Sequence, residues 1–300
     1  MSRSFVGAAG NRLVATEMGG DGLPVLLMHG GGQTRHAWAK TAHRLARAGF
    51  HAIALDQRGH GDSEWVQDGN YTFQKYGADA AAVAREIVAE RGAKPIAIGA
   101  SLGGLAALLA QTEPDEPFQG IVLVDIVRRM DWRGIDKIQG FMRTHAEDGF
   151  ATIEEAGDAV AAYLPHRPRP ASLEGLKKNL RVHGDGRWRW HWDPRFLDGE
   201  RNVNLDRPGS EEAFVAAAKQ LNVPVLLVRG GSSEIVGAES AKEFLADVPR
   251  AEFVDVAEAR HMVAGDRNDV FADAILDFLT RRFPQSGATV APRQARAAAR

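Results

Sequence analysis

The sequence predicts an α/β protein whose mostly parallel sheet is covered by helices on both faces. Three observations carry this. Short apolar runs alternate with helical stretches over most of the chain. Several of those runs end in glycine-rich or polar segments, where parallel strands hand over to helices. And 300 residues with 44% apolar content suffice for one substantial core, with room for an inserted subdomain.

Taken in order, paired strands at Ser4–Val6 and Arg12–Glu17 open the chain, separated by glycine-rich turns. Pro24–Met28 is a buried strand ending at His29-Gly30-Gly31-Gly32. His36–Ala48 has helical spacing, with Gly49 as its stop. His51–Leu55 is the next strand, and Gln74–Arg91 is an alanine-rich helix. Lys94–Ile98 reads as a short buried strand and Leu102–Gln111 as a helix rich in Ala and Leu. Gly120–Val124 is a strand ending in Asp125. From about Arg128 to Val215 the alternation stops, giving mixed helical pieces, proline-rich loops and the cluster Trp188, Trp190, Trp192. The rhythm resumes with strands Val223–Val228 and Ala251–Val256, then His261 and a closing helix at Asp269–Arg282. The expected organisation is therefore a core of residues 1–127 and 216–284, an insertion at 128–215, and a disordered basic tail at 285–300.

Composition narrows the function classes. A net charge of −2 gives no reason to expect nucleic acid or an anionic membrane as partner. The absence of cysteine removes disulfides, thiol catalysis and zinc–thiolate sites, and agrees with a cytoplasmic location. The first residues, Met1 to Phe5, lack an apolar export core, and the longest uncharged run is too short and too glycine-broken to span a bilayer. No His-Glu-x-x-His or comparable spacing indicates a metal, and no Gly-x-Gly-x-x-Gly or Gly-Lys-Ser/Thr indicates a nucleotide, so no cofactor is expected.

The chemistry concentrates at Gly99-Ala100-Ser101-Leu102-Gly103, a Gly-x-Ser-x-Gly pattern between a predicted strand and a predicted helix. A serine on such a sharp turn takes a strained backbone, and small neighbours leave room for it. The Leu102 amide opens the helix and points where an oxyanion would form. A serine hydroxyl needs a base, and the base an orienting acid. His261 follows the last strand and so shares the carboxyl edge of the sheet with Ser101. Glu234, just past a strand, is the first choice of acid, and Asp125 is the alternative. The glycines after Met28 let backbone amides approach a ligand, so Gly31, with Gly32 close behind, is the second oxyanion donor. His29, Trp38, Phe141, Met142, Trp188, Trp190 and His191 are candidate pocket residues, and Arg128, Arg129 and His191 candidate contacts for a polar or acidic group.

These motifs, together with Asp56-Gln57-Arg58-Gly59-His60-Gly61-Asp62-Ser63 and His261-Met262-Val263, resemble the capped α/β-hydrolase family of the serine-nucleophile type. The resemblance covers roughly residues 12 to 283 apart from the insertion. It implies the α/β-hydrolase fold with a mostly parallel, eight-stranded sheet, a Ser–His–acid triad and an inserted, mainly helical lid. It also implies that Asp56 and His60 are structural. Two departures touch the acid–base pair: Glu234 stands where Asp is commoner, and Arg260 precedes the histidine where Gly is frequent. The expected activity is hydrolysis of a small carboxylic ester, lactone or related acyl compound. The competing readings are carbon–carbon hydrolysis, lyase or cofactor-independent oxygen chemistry, and a non-catalytic ligand receptor.

Overall fold

The computed structural model describes residues 1–165, 169, 172–257, 259 and 268–284. The chain opens with strands β1 (Ser2–Val6), β2 (Arg12–Met18) and β3 (Pro24–Met28). A short 3₁₀ turn (Arg35–Trp38) leads into helix α1 (Ala39–Arg47), so the first expected helix is two pieces. Strand β4 (His51–Leu55), helix α2 (Phe73–Arg91), strand β5 (Ile96–Ala100), helix α3 (Leu102–Ala110) and strand β6 (Gly120–Val124) follow.

Between β6 and the next sheet strand come helices α4 (Trp132–Thr144) and α5 (Ile153–Tyr163), then a small antiparallel hairpin, β7 (Leu180–Val182) with β8 (Trp188–Trp190). Helices α6 (Arg195–Asp198) and α7 (Arg207–Lys219) complete this stretch. Strand β9 (Val225–Gly230), helix α8 (Ala238–Asp247), strand β10 (Glu252–Val256) and helix α9 (Asn268–Arg282) return to the core.

Eight strands form one sheet in the order β1-β2-β4-β3-β5-β6-β9-β10. β2 is antiparallel to both neighbours, and the remaining pairs are parallel. The four strands at the centre, β3 to β6, are buried at every position, as continuous apolar runs in a doubly covered sheet must be. Side chains alternate across the sheet. Val25 and Leu27 join the core under α1 and α9, with Leu45 and Phe278, while Leu26 and Met28 join the core under α2, α3 and α7, with Val83, Leu105 and Phe214. Each such fully buried aliphatic side chain stabilises the fold by roughly 1.5–3 kcal/mol relative to exposure.

The hairpin departs from the expected mixture of helices and loops. Trp188-Arg189-Trp190 alternates apolar and polar, a period-two signal. The strand is anchored further by the bridge of Trp188 to Phe150. The boundary expected between residues 215 and 216 falls inside α7, which packs on α3 of the core. The stretch from α4 to α6 is tied down through α6: the buried Tyr71 hydroxyl donates to the Asp193 carboxylate at 2.5 Å, and Arg195 forms an ion pair with the same carboxylate at 2.6 Å. Backbone bonds from Gly61 to the His191 carbonyl and from Asp193 to the Gly59 carbonyl close the seam.

Candidate active site

Ser101 sits between β5 and α3 with φ 47° and ψ −117°, in the left-handed half of backbone space that a serine rarely occupies. Packing enforces the turn. A Cβ on Gly99 would lie 2.3 Å from the Gly103 carbonyl oxygen, and one on Gly103 would lie 2.3 Å from the Met28 carbonyl oxygen. Strand, turn and helix can therefore close on one another only with glycine at both positions. Ser101 is left half-buried. The Leu102 amide, at the first turn of α3, donates to no acceptor among the described residues.

The loop after β3 lies beside this turn. A Cβ on Gly30 would be 3.4 Å from Ser101 Cβ. The Gly31 amide has no acceptor among the described residues. Gly32 differs. Its φ is +76°, and its amide donates to His60 Nε2 at 3.1 Å, so the second of the two expected donors is already committed within the protein.

His29 is also committed. Its Nδ1 donates to the Gly30 carbonyl at 2.8 Å and its Nε2 accepts from the Gln57 amide at 3.0 Å, which corrects its assignment as a substrate contact. His60 repeats the arrangement, donating from Nδ1 to the Arg58 carbonyl at 2.9 Å. Both rings are fully buried, with centroids 5.1 Å apart. Burial pushes His29 down to about 4 and His60 to about 3, the latter lowered further by its neighbour His29. Two neutral imidazoles thus shape the glycine loop. The buried Asp56 carboxylate does the same for the following turn, accepting from the amides of Arg35 and Asp62 and pairing with the Arg35 guanidinium.

The two acids differ sharply. Asp125 is fully buried, with φ 48°, directly after Val124, the register partner of Ala100. Adjacent strands β5 and β6 therefore each end in a left-handed, non-glycine polar residue, a form of strain that gathers at functional sites. Its Oδ1 accepts from the Gly230 amide at 2.8 Å and its Oδ2 from the Ser233 hydroxyl at 2.7 Å. Ser233 Oγ in turn accepts from the Ile235 and Val236 amides, so the loop after β9 is wound around the Asp125 carboxylate. Glu234 lies in that same turn but is exposed. His261 and Arg260 lie outside the described residues.

Above Ser101 is a cavity of about 200 Å³. Ser101, Leu102 and Gly30–32 form its floor, and α4, α5, the hairpin and α6 supply its walls. Phe141, Met142 and Trp190 line it as expected. The other candidates do not. Trp38 packs under α1 on the opposite face of the sheet, because the 3₁₀ turn rotates it away. Trp188 packs against the apolar core that includes Phe150 and Trp190, and His191 lies in a separate polar cleft with Asp62 and Arg181. Arg128 pairs instead with Asp247 and Glu243, and Arg129 with Glu211 and Glu243. Trp132, Gln139, Tyr163, Asn179 and Phe196 line the cavity without having been singled out from the sequence. Their contributions come from four separate stretches, and no local pattern joins them. Among the described residues lining the cavity, none carries a formal charge. The described residues hold no cluster suited to a metal ion and no helix long and apolar enough to cross a membrane.

The profile of the family described as serine aminopeptidase, S33 matches residues 23–193. The chain belongs to this family of α/β-hydrolases. The hydrolase is 31% identical over 274 residues to an esterase of Mycobacterium tuberculosis, covering 89% of this chain and 86% of that one. A solved structure of that esterase superposes with a TM-score of 0.71 at 28% identity, covering 93% of this chain and 91% of that one. A 3-hydroxybutyrate-oligomer hydrolase of Cupriavidus necator is 24% identical over 261 residues, 84% of this chain and 87% of that one. The crystal structure of E-2-(acetamidomethylene)succinate hydrolase shares the fold with a TM-score of 0.80, at 24% identity and over 93% of this chain and 98% of that one. The hydrolase is thus an enzyme whose fold follows its family.

Proposed function

We propose that this hydrolase cleaves an uncharged carboxylic ester, lactone or related acyl compound through a covalent acyl-enzyme on Ser101. The strained Ser101 backbone beneath an apolar cavity is the observation that carries the reading. Ser101 Oγ attacks the carbonyl while His261 takes its proton, and the Leu102 and Gly31 amides stabilise the oxyanion. Collapse of the tetrahedral species expels the alcohol, protonated by His261. Water, activated by the same imidazole, then releases the acid and regenerates Ser101.

Asp125 is the acid that orients His261. Its burial, its position on the strand beside β5 and its left-handed backbone support it over the exposed Glu234. A carboxylate oxygen can accept at two lone pairs, so the bonds from the Gly230 amide and the Ser233 hydroxyl are compatible with one from an imidazole N–H. The uncharged wall supports a neutral substrate, since a carboxylate placed there would lose its hydration without a countercharge among the described lining residues. The relative named for a succinate derivative therefore serves as a guide to fold rather than to substrate.

The test is labelling with a serine-directed fluorophosphonate followed by peptide mass analysis. Modification of Ser101, with ester turnover in Ser101→Ala reduced by at least about 10³-fold, is expected. Labelling elsewhere, or full turnover of the variant, contradicts an acyl-enzyme at this residue.

A further inference from the structure

Within the cavity, one polar side chain is oriented by a chain of donors and acceptors that begins outside it. Arg207 is fixed on α7 by an ion pair to Asp136 and by its guanidinium lying 4.7 Å from the Trp132 ring centroid. A guanidinium only donates. Asn204 must therefore turn its Oδ1 toward Arg207, and it accepts there from Nη2 at 2.9 Å and Nε at 3.2 Å. That leaves Asn204 Nδ2 facing Gln139, and it donates to Gln139 Oε1 at 2.9 Å. Gln139 then has its Nε2 on the side away from Asn204. The polarity is dictated by the arginine, not by an arbitrary choice between amide ends.

Gln139 is 8% exposed, lines the cavity, and its Nε2 donates to no described residue. Ile135, Ile138, Trp132 and Val203 line the same cavity. A donor at a cavity wall costs free energy when a ligand displaces solvent from it without accepting its hydrogen.

We propose that Gln139 is a specificity residue that donates from Nε2 to a second oxygen of the substrate, apart from the scissile carbonyl. The substrate class is an uncharged acyl compound whose apolar body carries a ketone, ether, ester or hydroxyl oxygen. This rests on the cavity being the substrate site of the hydrolase. A plain hydrocarbon chain of the same length leaves Nε2 unpaired in the complex, and a chain with a correctly placed oxygen satisfies it. Discrimination between the two is expected at about tenfold, the effect of one neutral hydrogen bond made or left unmade at a buried site.

The experiment uses matched p-nitrophenyl esters: hexanoate, and chains of equal length with a ketone or ether oxygen at successive positions. Equilibrium binding is measured on the Ser101→Ala protein by quenching of the cavity tryptophans, and kcat/KM on the wild type. The best oxygen-bearing ester is expected to bind about tenfold tighter than hexanoate. Gln139→Met and Gln139→Leu both remove the donor. In both, the ratio falls to about one or below, and the second variant covers a failure of the first to fold. Equal binding of all esters to the Gln139 protein, or a ratio that survives both variants, overturns the proposal. A binding preference with no turnover by the wild type would instead sink the acyl-enzyme reading and leave this one standing.

Discussion

At the scale of single residues, Ser101 was legible because its signal is local: glycines two positions to either side, a strand before and a helix after. The choice between Asp125 and Glu234 was not, because it turns on burial and on a backbone angle set by β9, more than a hundred positions away. If Asp125 orients the base, Asp125→Asn lowers kcat/KM for a p-nitrophenyl ester by roughly 10²- to 10⁴-fold. Glu234→Gln then stays within about threefold. The reverse ranking would return the role to Glu234. His29 shows the same limit in another form. A histidine beside a glycine triplet invites a binding role, yet both its nitrogens are taken, one by the Gln57 amide from the next strand's loop.

At the scale of elements, the alternation of strands and helices was readable in nearly every core piece, with ends shifted by a few residues. β5, for example, runs on to Ala100 rather than stopping at Ile98, which delivers Ser101 directly at the strand's tip. The β7–β8 hairpin escaped because its strands are three residues each, too short for a periodic signal to stand out among arginines and tryptophans. The glycine loop after β3 carries a pH consequence. His29 and His60 are held neutral by burial, at about 4 and about 3, against an ordinary value near 6.5. Between those limits the unfolded chain binds protons that the folded chain does not. Stability is therefore complete above about pH 6.5 and declines as pH falls toward 4, on the order of 1 kcal/mol per pH unit for each ring. Urea unfolding at pH 7.5, 6.0 and 5.0 checks this, and a midpoint that stays constant over the series would contradict it.

At the scale of the whole molecule, the Ser101 turn belongs to the sheet, while most of the cavity wall belongs to the stretch between β6 and β9. The joint between them passes through the Tyr71–Asp193–Arg195 group. Tyr71→Phe removes the hydroxyl and leaves the Asp193 carboxylate with Arg195 alone. Loss of a hydrogen bond to a charged group costs roughly 1.5–3 kcal/mol. Hydrogen exchange is expected to quicken selectively in residues 190–205 while α2 and α3 keep their protection, and uniform quickening throughout the core would argue against a local clamp. The cavity's chemistry could not be read from the chain because its walls come from stretches far apart in the sequence; only folding collects Gln139, Asn179 and Phe196 around one space. The neutrality of that space bears on the end of the catalytic cycle as well as its start. If the proposed neutral ester is the substrate, it enters a chamber that suits it, but cleavage leaves an anionic acid among tryptophan, phenylalanine and isoleucine. The newly formed carboxylate is driven back toward water by its own hydration energy, so turnover should be little slowed by accumulated product.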